Sequence, residues 1–557
     1  MKLKFFLFAF CAISAFFNLP VLAQTYAITN AKIVTVSGAV VENGTVVVRD
    51  GLIESVGASA KVPADAQIFN GAGLTVYPGF IDALTNLGLS APALPRQPGA
   101  GGGQTPQTAQ TSVSNSNYVE GLRAEETAAE ALKAGEAQFE NNRNAGFTTV
   151  LTVGRDGIFN GQSAVIDLAG NSVSEMLVKS PFAHHVSFVT VRGGVYPTSL
   201  MGTFSVLRQM LLDARRLQEL QKNYAADPRG VKRPGADKSL EALFPLLNGT
   251  MPIVFNANRE IEIIRAIDLA KEFKLKAIIA GGQEAGKVAD RLKAQDIPVL
   301  LSLNFPKRTT AASPEADAES LDLMRFRAET PKTAAKLANA GVRFAFQSGG
   351  ATSVNDFFTN AAKTVENGLT KDAAIRAMTL SSAQILGIDN RLGSIEEGKI
   401  ANLTVIRGDV FDKEKTVTHV FVDGKLFEQK EKPKAPPTPK TGATGTAPAG
   451  TAPTAPAIAA VGGNYSISID IPGQPVTGTL AMTQQEATLT GTMQTTLGTS
   501  QIKDGKVTAE GFTFSSSVEF GGSTFDIFVK GTVTGNQISG TIESPQGAIP
   551  FSGTKNP

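Results

Sequence analysis

The stretch VYPGFIDALTNLGLS, residues 76–90, separates two kinds of sequence pattern in this chain. Before it, short apolar runs such as AKIVTV and GTVVVRDG alternate with turns, and Asp50-Gly51 has the composition of a tight hairpin turn. This pattern predicts the first part of a small β-sandwich over residues 24–77. Within the stretch, the rhythm changes, and short strands begin to alternate with longer helical segments.

The region after Pro78 combines strand candidates with amphipathic helices. The segment REIEIIRAIDLAKEFK (259–274) places Ile263 and Ile267 on one helical face. Such alternation predicts a parallel sheet covered by helices, and the number of units predicts a TIM-like (β/α)8 barrel over residues 78–392. Residues 94–117, rich in Gly, Gln, Pro and Ser, are predicted to form a mobile loop at its mouth. The strand candidates are FTTVLTV (147–153), PIVFNA (252–257), KAIIA (276–280), PVLLSL (298–303) and VRFAFQ (342–347).

Strand sequence returns at KIANLTVIRGD and TVTHVFVDGKLF, within residues 399–427. Residues 393–430 are therefore predicted to complete the sandwich that residues 24–77 begin. Residues 431–462 are rich in Pro, Ala and Thr, which is typical of a linker without a packed core. In residues 463–557, apolar and polar residues alternate between Gly-containing turns, which predicts a separate C-terminal antiparallel β-domain. The predicted fold class is thus α/β, with an additional all-β domain.

The first 23 residues predict a bacterial secretory signal peptide. Lys2 and Lys4 precede an apolar run that ends in the small-residue motif Val21-Leu22-Ala23, with cleavage expected after Ala23. An N-terminal membrane anchor is the alternative. Cleavage predicts export to the periplasm or the extracellular space, and it removes the only cysteine. The exported chain would then have neither a disulfide nor a thiolate ligand.

The charge balance argues against a nucleic-acid partner. Lys and Arg number 52 against 50 Asp and Glu, which gives a net charge of +2 without a long run of either sign. No segment after the signal peptide is apolar enough to span a bilayer.

Three pieces of sequence resemble one family. The opening strands, the motif TVYPGFID (75–82) and the closing segment LTKDAAIRAMTLSSAQILGIDNRLGSIEEGKIANLTVIRGD (369–409) resemble the amidohydrolase superfamily, most closely its imidazolonepropionase-like branch. The resemblance covers residues 25–428, and the closing segment is its most specific part. It implies a barrel that hydrolyses carbon-nitrogen bonds with a metal ion at the carboxyl ends of its strands. The C-terminal domain resembles the lipocalin-like meanders appended to some exported hydrolases.

The resemblance also shows where the metal ligands of the family would stand. Its first strand ends in HxH, and residues i and i+2 of a strand share a face, so both histidines reach one metal. Leucine has no lone pair, and an amide oxygen is a poor ligand for zinc. The site therefore lacks its ligands at every position that can be aligned, although the strand-four ligand cannot be placed, and we expect no metal cofactor. The vestigial positions are Leu84 and Asn86 in strand one, Asn256 and Asn258 in strand five, Gly281 in strand six and Gly349 in strand eight.

Other motifs offer alternative chemistry. The pair His184-His185 could replace the metal ligands, but adjacent strand residues face opposite sides, so packing is favoured. Ser348 could be a nucleophile beside glycine amides, but no histidine lies near it in sequence. The loop GGQEAGKV (281–288) imitates a phosphate-binding loop, yet it ends in Val288 rather than a hydroxyl residue. His419 is assigned a structural role.

The polar residues expected at the barrel mouth form a candidate pocket. Such groups suit a neutral polar ligand, such as a peptide or sugar, or they satisfy one another in a vacated metal cavity. The sequence favours a non-catalytic binding or scaffold protein, partnered by a metal-bearing relative or by a second copy of itself. One alternative is a carbon-nitrogen hydrolase with atypical ligands or without metal, and another is an envelope or carbohydrate-adhesion protein acting through its C-terminal domain. The candidate pocket residues are Asp82, Asn86, Asn256, Asn258, Gln347 and Ser348.

Overall fold

The fold is described from a computed structural model of the 557-residue chain. Its residues divide into two compact units, Met1–Ala435 and Pro436–Pro557. The predicted signal peptide (1–23), the predicted mobile loop (94–117) and residues 431–460 of the predicted linker lie outside the described residues. The structure describes residues 24–89, 118, 121–135, 137–155, 157–190, 196–308, 319–349, 354–412, 414–428, 461–469, 476–495, 498–508, 511–520, 523–544 and 547–555.

The first unit alternates strands and helices for most of its length. No helix in the described ranges has both the length and the apolar character needed to cross a membrane. The strands are β1 (Tyr26–Ile33), β2 (Val41–Arg49), β3 (Leu52–Gly57), β4 (Gln67–Asn70), β5 (Leu74–Pro78), β6 (Phe80–Thr85), β7 (Phe147–Thr152), β8 (Phe159–Gln162), β9 (Ala164–Asp167), β10 (Leu177–Lys179), β11 (His184–Ser187), β12 (Ile253–Ala257), β13 (Ala277–Gly281), β14 (Val299–Ser302), β15 (Phe344–Gln347), β16 (Leu403–Arg407), β17 (Thr416–Val422) and β18 (Lys425–Glu428). The α-helices are α1 (Ala128–Ala131), α2 (Ala137–Asn144), α3 (Val173–Met176), α4 (Leu200–Ala226), α5 (Lys238–Glu241), α6 (Phe244–Leu247), α7 (Glu260–Phe273), α8 (Ala289–Ala294), α9 (Leu321–Glu329), α10 (Thr333–Asn339), α11 (Val354–Glu366), α12 (Lys371–Ala377) and α13 (Leu380–Leu386).

The beginning and the end of the first unit share one eight-stranded sheet. Its strand order is β18-β17-β16-β5-β1-β2-β3, and β4 pairs with β1. Strands β5 and β16 pair antiparallel, from Leu74 opposite Arg407 to Pro78 opposite Leu403. The apolar face of this sheet buries residues from both ends of the unit, including Ile33 and Phe421. Segments that are far apart in sequence therefore fold together.

Two further sheets form the centre of the unit. Their orders are β10-β9-β7-β6 and β15-β14-β13-β12-β11-β8. Strands β11 to β15 run parallel to one another, and β6 runs parallel to β7. Because only Ser163 separates β8 from β9, these strands connect the two sheets. The edge strands β6 and β15 also meet, where the Ser348 backbone N–H donates to Asp82 Oδ1 at 2.9 Å.

Strands β8 and β9 depart from the predicted parallel arrangement. Strand β9 runs antiparallel to β7, and β8 runs antiparallel to β11. Residues 153–158 alone separate β7 from β8. A parallel connection needs a crossover of about a dozen residues or more, so the chain must reverse here instead.

The central strands are buried on both faces, as expected for strands covered by helices. Helix α7 packs Ile263 and Ile267 into this core, as its periodicity predicts. Alternate strand residues enter two separate apolar clusters, because successive side chains point to opposite faces. One cluster includes Phe80, Val150, Phe255, Ile279, Val299 and Phe346, and the other includes Ile81, Leu151, Val254, Ile278, Leu300 and Ala345.

The second unit is entirely antiparallel in its described part, which fits the predicted separate β-domain. Its sheet order is β20-β19-β27-β26-β25-β24-β23-β21-β22, and an additional pairing of β20 with β21 closes eight of these strands into a ring. Its own core includes Tyr465 and Phe514, both fully buried. The strands are β19 (Gly463–Ile469), β20 (Val476–Gln485), β21 (Thr488–Thr495), β22 (Gly498–Gln501), β23 (Lys503–Thr508), β24 (Gly511–Phe520), β25 (Ser523–Thr534), β26 (Gln537–Ser544) and β27 (Gly547–Lys555).

Candidate functional site

A cavity of about 400 Å³ lies at the carboxyl ends of the central strands. This is the end at which α/β proteins bind ligands, because the loops after parallel strands converge there. Most of its polar groups are uncharged amides and hydroxyls. The lining residues are Leu84, Thr85, Val153, Gly154, Arg155, Ser187, Asn256, Asn258, Ala280, Gly281, Gln283, Ser302, Asn304, Gln347 and Gly349.

Asn256, at the end of β12, is held by a small polar network. Its Nδ2 donates to Asn160 Oδ1 at 3.1 Å and to Ser187 Oγ at 2.9 Å. Ser187 Oγ in turn donates to Asn160 Oδ1 at 2.7 Å. Both amide hydrogens of Asn256 are therefore used, which fixes the side-chain orientation and leaves its carbonyl oxygen as the acceptor for a ligand.

Gly281 lies at the end of β13. The side chain of Asn258 fills the space that a side chain at this position would need. Its φ of 89° lies in the left-handed region, where residues other than glycine are strained. A Cβ at this position would overlap Asn258 Oδ1. Two of the positions predicted to be vestigial ligand positions thus meet in one contact, in which the Asn258 amide occupies the space that a side chain from Gly281 would need.

Gly349, after β15, repeats this arrangement. Its φ is 64°, and a Cβ there would overlap Ser302 Oγ and lie 3.1 Å from Asn304 Cβ. An aspartate at this position would require the Ser302 hydroxyl to move.

The end of β6 is irregular. The register of β6 against β7 shifts between Asp82 and Thr85. As a result, Leu84 and Thr85 both line the cavity, whereas Asn86 is exposed and outside the lining. The expectation that residues 84 and 86 share one face assumes regular alternation, which this shift interrupts.

Asp82 links β6 to the end of β15 through a hydrogen bond, and it lies behind the cavity lining. Only 2% of its surface is exposed, and its Oδ1 accepts hydrogen bonds from the backbone N–H groups of Ser348 (2.9 Å) and Leu84 (3.3 Å). Burial raises the pKa of this carboxyl to about 6, although the hydrogen bonds and the positive charge of Arg155 lower it. Ser348 does not line the cavity, while its neighbours Gln347 and Gly349 do.

Two lining residues, Gln347 and Arg155, have polar groups that are available to a ligand. Gln347 is 3% exposed, and its Nε2 donates to Leu300 O at 3.3 Å, while its buried Oε1 has no hydrogen-bond partner among the described residues. Arg155 is the only charged side chain among the described residues of the lining. The sequence interpretation identified Gln347 but missed Arg155, although Arg155 follows the strand candidate 147–153 by two residues, at the end where ligands bind.

Comparisons with known proteins point to one superfamily. Residues 310–427 match the amidohydrolase family model. The comparisons support the amidohydrolase superfamily. The solved structure of an amidohydrolase from Thermotoga maritima is similar to this chain, with a TM-score of 0.59 and 26% identity over 72% of this chain and 100% of that one.

Other solved structures are less similar to the chain. A Xaa-Pro dipeptidase with bound methionine in its active site has a TM-score of 0.44 and 16% identity, over 73% of this chain and 100% of that one. An ochratoxinase from A. niger has a TM-score of 0.43 and 15% identity, over 73% of this chain and 96% of that one. No curated protein matches the chain.

The metal ion that the amidohydrolase resemblance implies does not fit the donors of this cavity. Zinc prefers imidazole, thiolate and carboxylate ligands, whereas the described residues of the lining offer amides, hydroxyls and one guanidinium. Throughout the described part of the chain, no group of three or more His, Cys, Asp or Glu side chains could hold a metal ion.

The histidines lie away from the cavity lining. His184 and His185, in β11, are both fully buried. His184 Nε2 lies 2.7 Å from Ala242 O, and His185 Nε2 lies 2.9 Å from Ser163 Oγ. Burial lowers the pKa of His184 to about 4 and that of His185 to about 3, so both are neutral at neutral pH. His419 pairs with Thr418 in β17.

Proposed function

We propose that this chain is a non-catalytic ligand-binding or scaffold protein built on an amidohydrolase-type (β/α) barrel. One observation carries the proposal: the expected ligand positions at the cavity hold a leucine, amides and closely packed glycines rather than metal ligands. Asn258 and Ser302 occupy the space that side chains from Gly281 and Gly349 would need. The cavity is therefore arranged for hydrogen bonding instead of metal binding.

The barrel itself is part of this proposal. The strand path β6, β7, β9-β8, β11, β12, β13, β14, β15 has the order of an eight-stranded barrel in which one strand is reversed. The hydrogen bond from Ser348 to Asp82 joins its first and last strands. In such a barrel the cavity would occupy the usual site of catalysis.

Hydrolysis lacks support from the cavity. A bound metal lowers the pKa of water from about 15.7 to about 7, and without it a general base must activate the water. The described lining contains no His, Asp or Glu. Asp82 is buried and accepts hydrogen bonds from Ser348 and Leu84, so it serves to hold two strand ends together.

Metal analysis tests the loss of catalysis. The mature protein would be purified, incubated with zinc, manganese or iron, dialysed, and subjected to elemental analysis. We expect well below one metal ion per chain, and no hydrolysis of a panel of dipeptides and lactams. Stoichiometric metal together with chelator-sensitive hydrolysis would contradict the proposal.

Ligand-induced thermal stabilisation tests the binding role. Small polar molecules that bind the cavity should raise the melting temperature, since a ligand that binds only the folded state stabilises it. Asn256→Ala should weaken this stabilisation, because it removes the fixed amide. Asn339→Ala, at an exposed position at the end of α10, serves as the matched control. Equal stabilisation of both variants would place the binding elsewhere.

We also propose that the chain is exported to the periplasm or the extracellular space, on the basis of its first 23 residues. Fractionation of the source cells, with mass spectrometry of the mature N-terminus, tests this. We expect Gln24 as the first residue, and an uncleaved chain in the cytoplasm would contradict the proposal.

A further inference from the structure

We infer that the cavity takes a small monocarboxylate that also carries a neutral N–H or O–H donor, such as an acylated amino acid or a hydroxy acid. This inference deepens the proposed binding function and rests on it. Two side chains of the lining, Arg155 and Gln347, carry the argument.

Arg155 supplies a positive charge that, among the described residues, acts on buried Asp82 without a direct hydrogen bond or ion pair. Among the described residues, no hydrogen bond or ion pair engages its guanidinium group, whereas most other arginines of the first unit, such as Arg208 with Glu272, have a partner. A guanidinium group presents paired N–H donors whose geometry matches the two oxygens of a carboxylate. Its place in the cavity lining makes a carboxylate the natural partner.

Gln347 supplies an unused acceptor in the same cavity. It is 3% exposed, and its Oε1 has no hydrogen-bond partner among the described residues. A buried acceptor without a partner is costly, and a ligand N–H or O–H would satisfy it. Because Nε2 already donates to Leu300 O, the oxygen is the atom left for a ligand.

The remaining lining limits the charge of the ligand. In the described lining Arg155 is the only charged side chain, and buried Asp82 already interacts with it. The cavity therefore matches no more than one negative charge, and a phosphate dianion would keep an uncompensated charge. A free amino acid would bring an ammonium group, for which the described lining has no carboxylate partner. The cavity volume of about 400 Å³ suits a small molecule.

Calorimetric titration of the purified full chain tests the carboxylate. N-acetyl-L-alanine is compared with its uncharged amide, N-acetyl-L-alaninamide, and with L-alanine and inorganic phosphate. We expect the carboxylate to bind about 10- to 100-fold more tightly than the amide, which is the usual strength of a charge-assisted hydrogen bond. Arg155→Met should abolish this preference, and Arg291→Met, at an exposed position in α8, should preserve it.

A second ligand pair tests the donor. L-lactate and propionate differ in one hydroxyl, and we expect the wild type to bind lactate about tenfold more tightly. Gln347→Met should remove this difference while keeping the preference for a carboxylate. Circular dichroism confirms that each variant is folded, and Gln347→Glu provides a second variant of similar shape.

Several results would overturn the inference. These are tighter binding of phosphate, equal binding of N-acetyl-L-alanine and its amide, a preference that survives in Arg155→Met, or no binding of any monocarboxylate at about 10 mM. If only uncharged ligands bind and Asn256→Ala weakens them, the inference fails and the proposed binding function stands. Stoichiometric metal with chelator-sensitive hydrolysis would contradict both the inference and the proposed binding function.

Discussion

Gly281 and Gly349 have backbone conformations that other residues adopt only at a cost, and each faces a polar side chain where its Cβ would lie. A metal-ligating side chain can in principle be introduced by one substitution. Here that substitution would require both an unfavourable backbone conformation and displacement of Asn258 or Ser302. The packing around the cavity therefore opposes a metal-ligating side chain at Gly281 or Gly349.

Substitution of Gly281 measures how strongly the surrounding packing opposes a side chain at this position. We expect Gly281→Ala to lower the free energy of unfolding by about 2–5 kcal/mol, which combines left-handed strain with overpacking against Asn258. Gly398→Ala is the matched control, because Gly398 has a similar φ of 83° and open space around it. Chemical denaturation of both variants gives the difference. Equal losses would show that Asn258 yields without cost.

A second residue-scale prediction concerns Asp167, which accepts hydrogen bonds from Thr149 Oγ1 (2.6 Å) and Asn402 Nδ2 (2.9 Å). Burial raises the pKa of its carboxyl from 3.8 to about 7. The folded state therefore binds a proton that the unfolded state releases, so the stability contributed by Asp167 is complete below pH 3.8 and is lost as the pH rises through 7.

Asp167→Asn should remove this dependence, because an amide is uncharged at every pH and keeps an acceptor for Thr149 and Asn402. Relative to the wild type, the variant should gain up to about 4 kcal/mol in the free energy of unfolding between pH 4 and pH 8. The measurement is urea denaturation across this range, with exposed Asp268→Asn as the control. If the free energies of unfolding of variant and wild type differed by the same amount at every pH, the prediction would be wrong.

At the scale of elements, strand β11 brings two buried neutral histidines into the centre of the first unit. Burial lowers the pKa of His184 and His185 well below the usual 6.5, so the unfolded chain binds protons that the folded chain excludes. Stability from β11 is therefore present above pH 6.5 and is lost as the pH falls toward 4 and then 3.

His185→Gln tests the contribution of this strand to acid stability. Each histidine should lower the free energy of unfolding of the wild type by about 2 kcal/mol between pH 7 and pH 5. Glutamine cannot be protonated and still offers a group for Ser163, so the variant should lose about 2 kcal/mol less over this interval. His419→Gln, at a half-buried position in β17, should change this loss of stability less than His185→Gln does. Equal acid sensitivity of wild type and His185→Gln would refute the assignment.

At the scale of the whole molecule, the two units have separate apolar cores. Calorimetry of the full chain should therefore show two unfolding transitions. Phe514→Ala should destabilise only the transition of the second unit by about 3–5 kcal/mol, and Ile279→Ala should destabilise only that of the first by about 2–5 kcal/mol, since both residues are fully buried. A single transition shifted by both variants would show that the units unfold together.

The sequence alone determined the elements that depend on local pattern. The strand candidate 147–153 coincides with β7, and 342–347 contains β15, because apolar runs of this length are buried whatever lies next to them. The alternation after residue 463 likewise predicted an antiparallel domain. The amidohydrolase resemblance supplied the positions at which metal ligands were expected.

Only the tertiary structure decided which groups meet at the cavity. The reversal of β8 and β9, the shifted register that excludes Asn86, and the contact between Gly281 and Asn258 depend on neighbours that are distant in sequence. Arg155 became a candidate ligand-binding residue only when the strand ends were brought together. The physical reason is that burial follows from local hydrophobic periodicity, whereas the convergence of polar side chains depends on register and on loops, which no local pattern fixes.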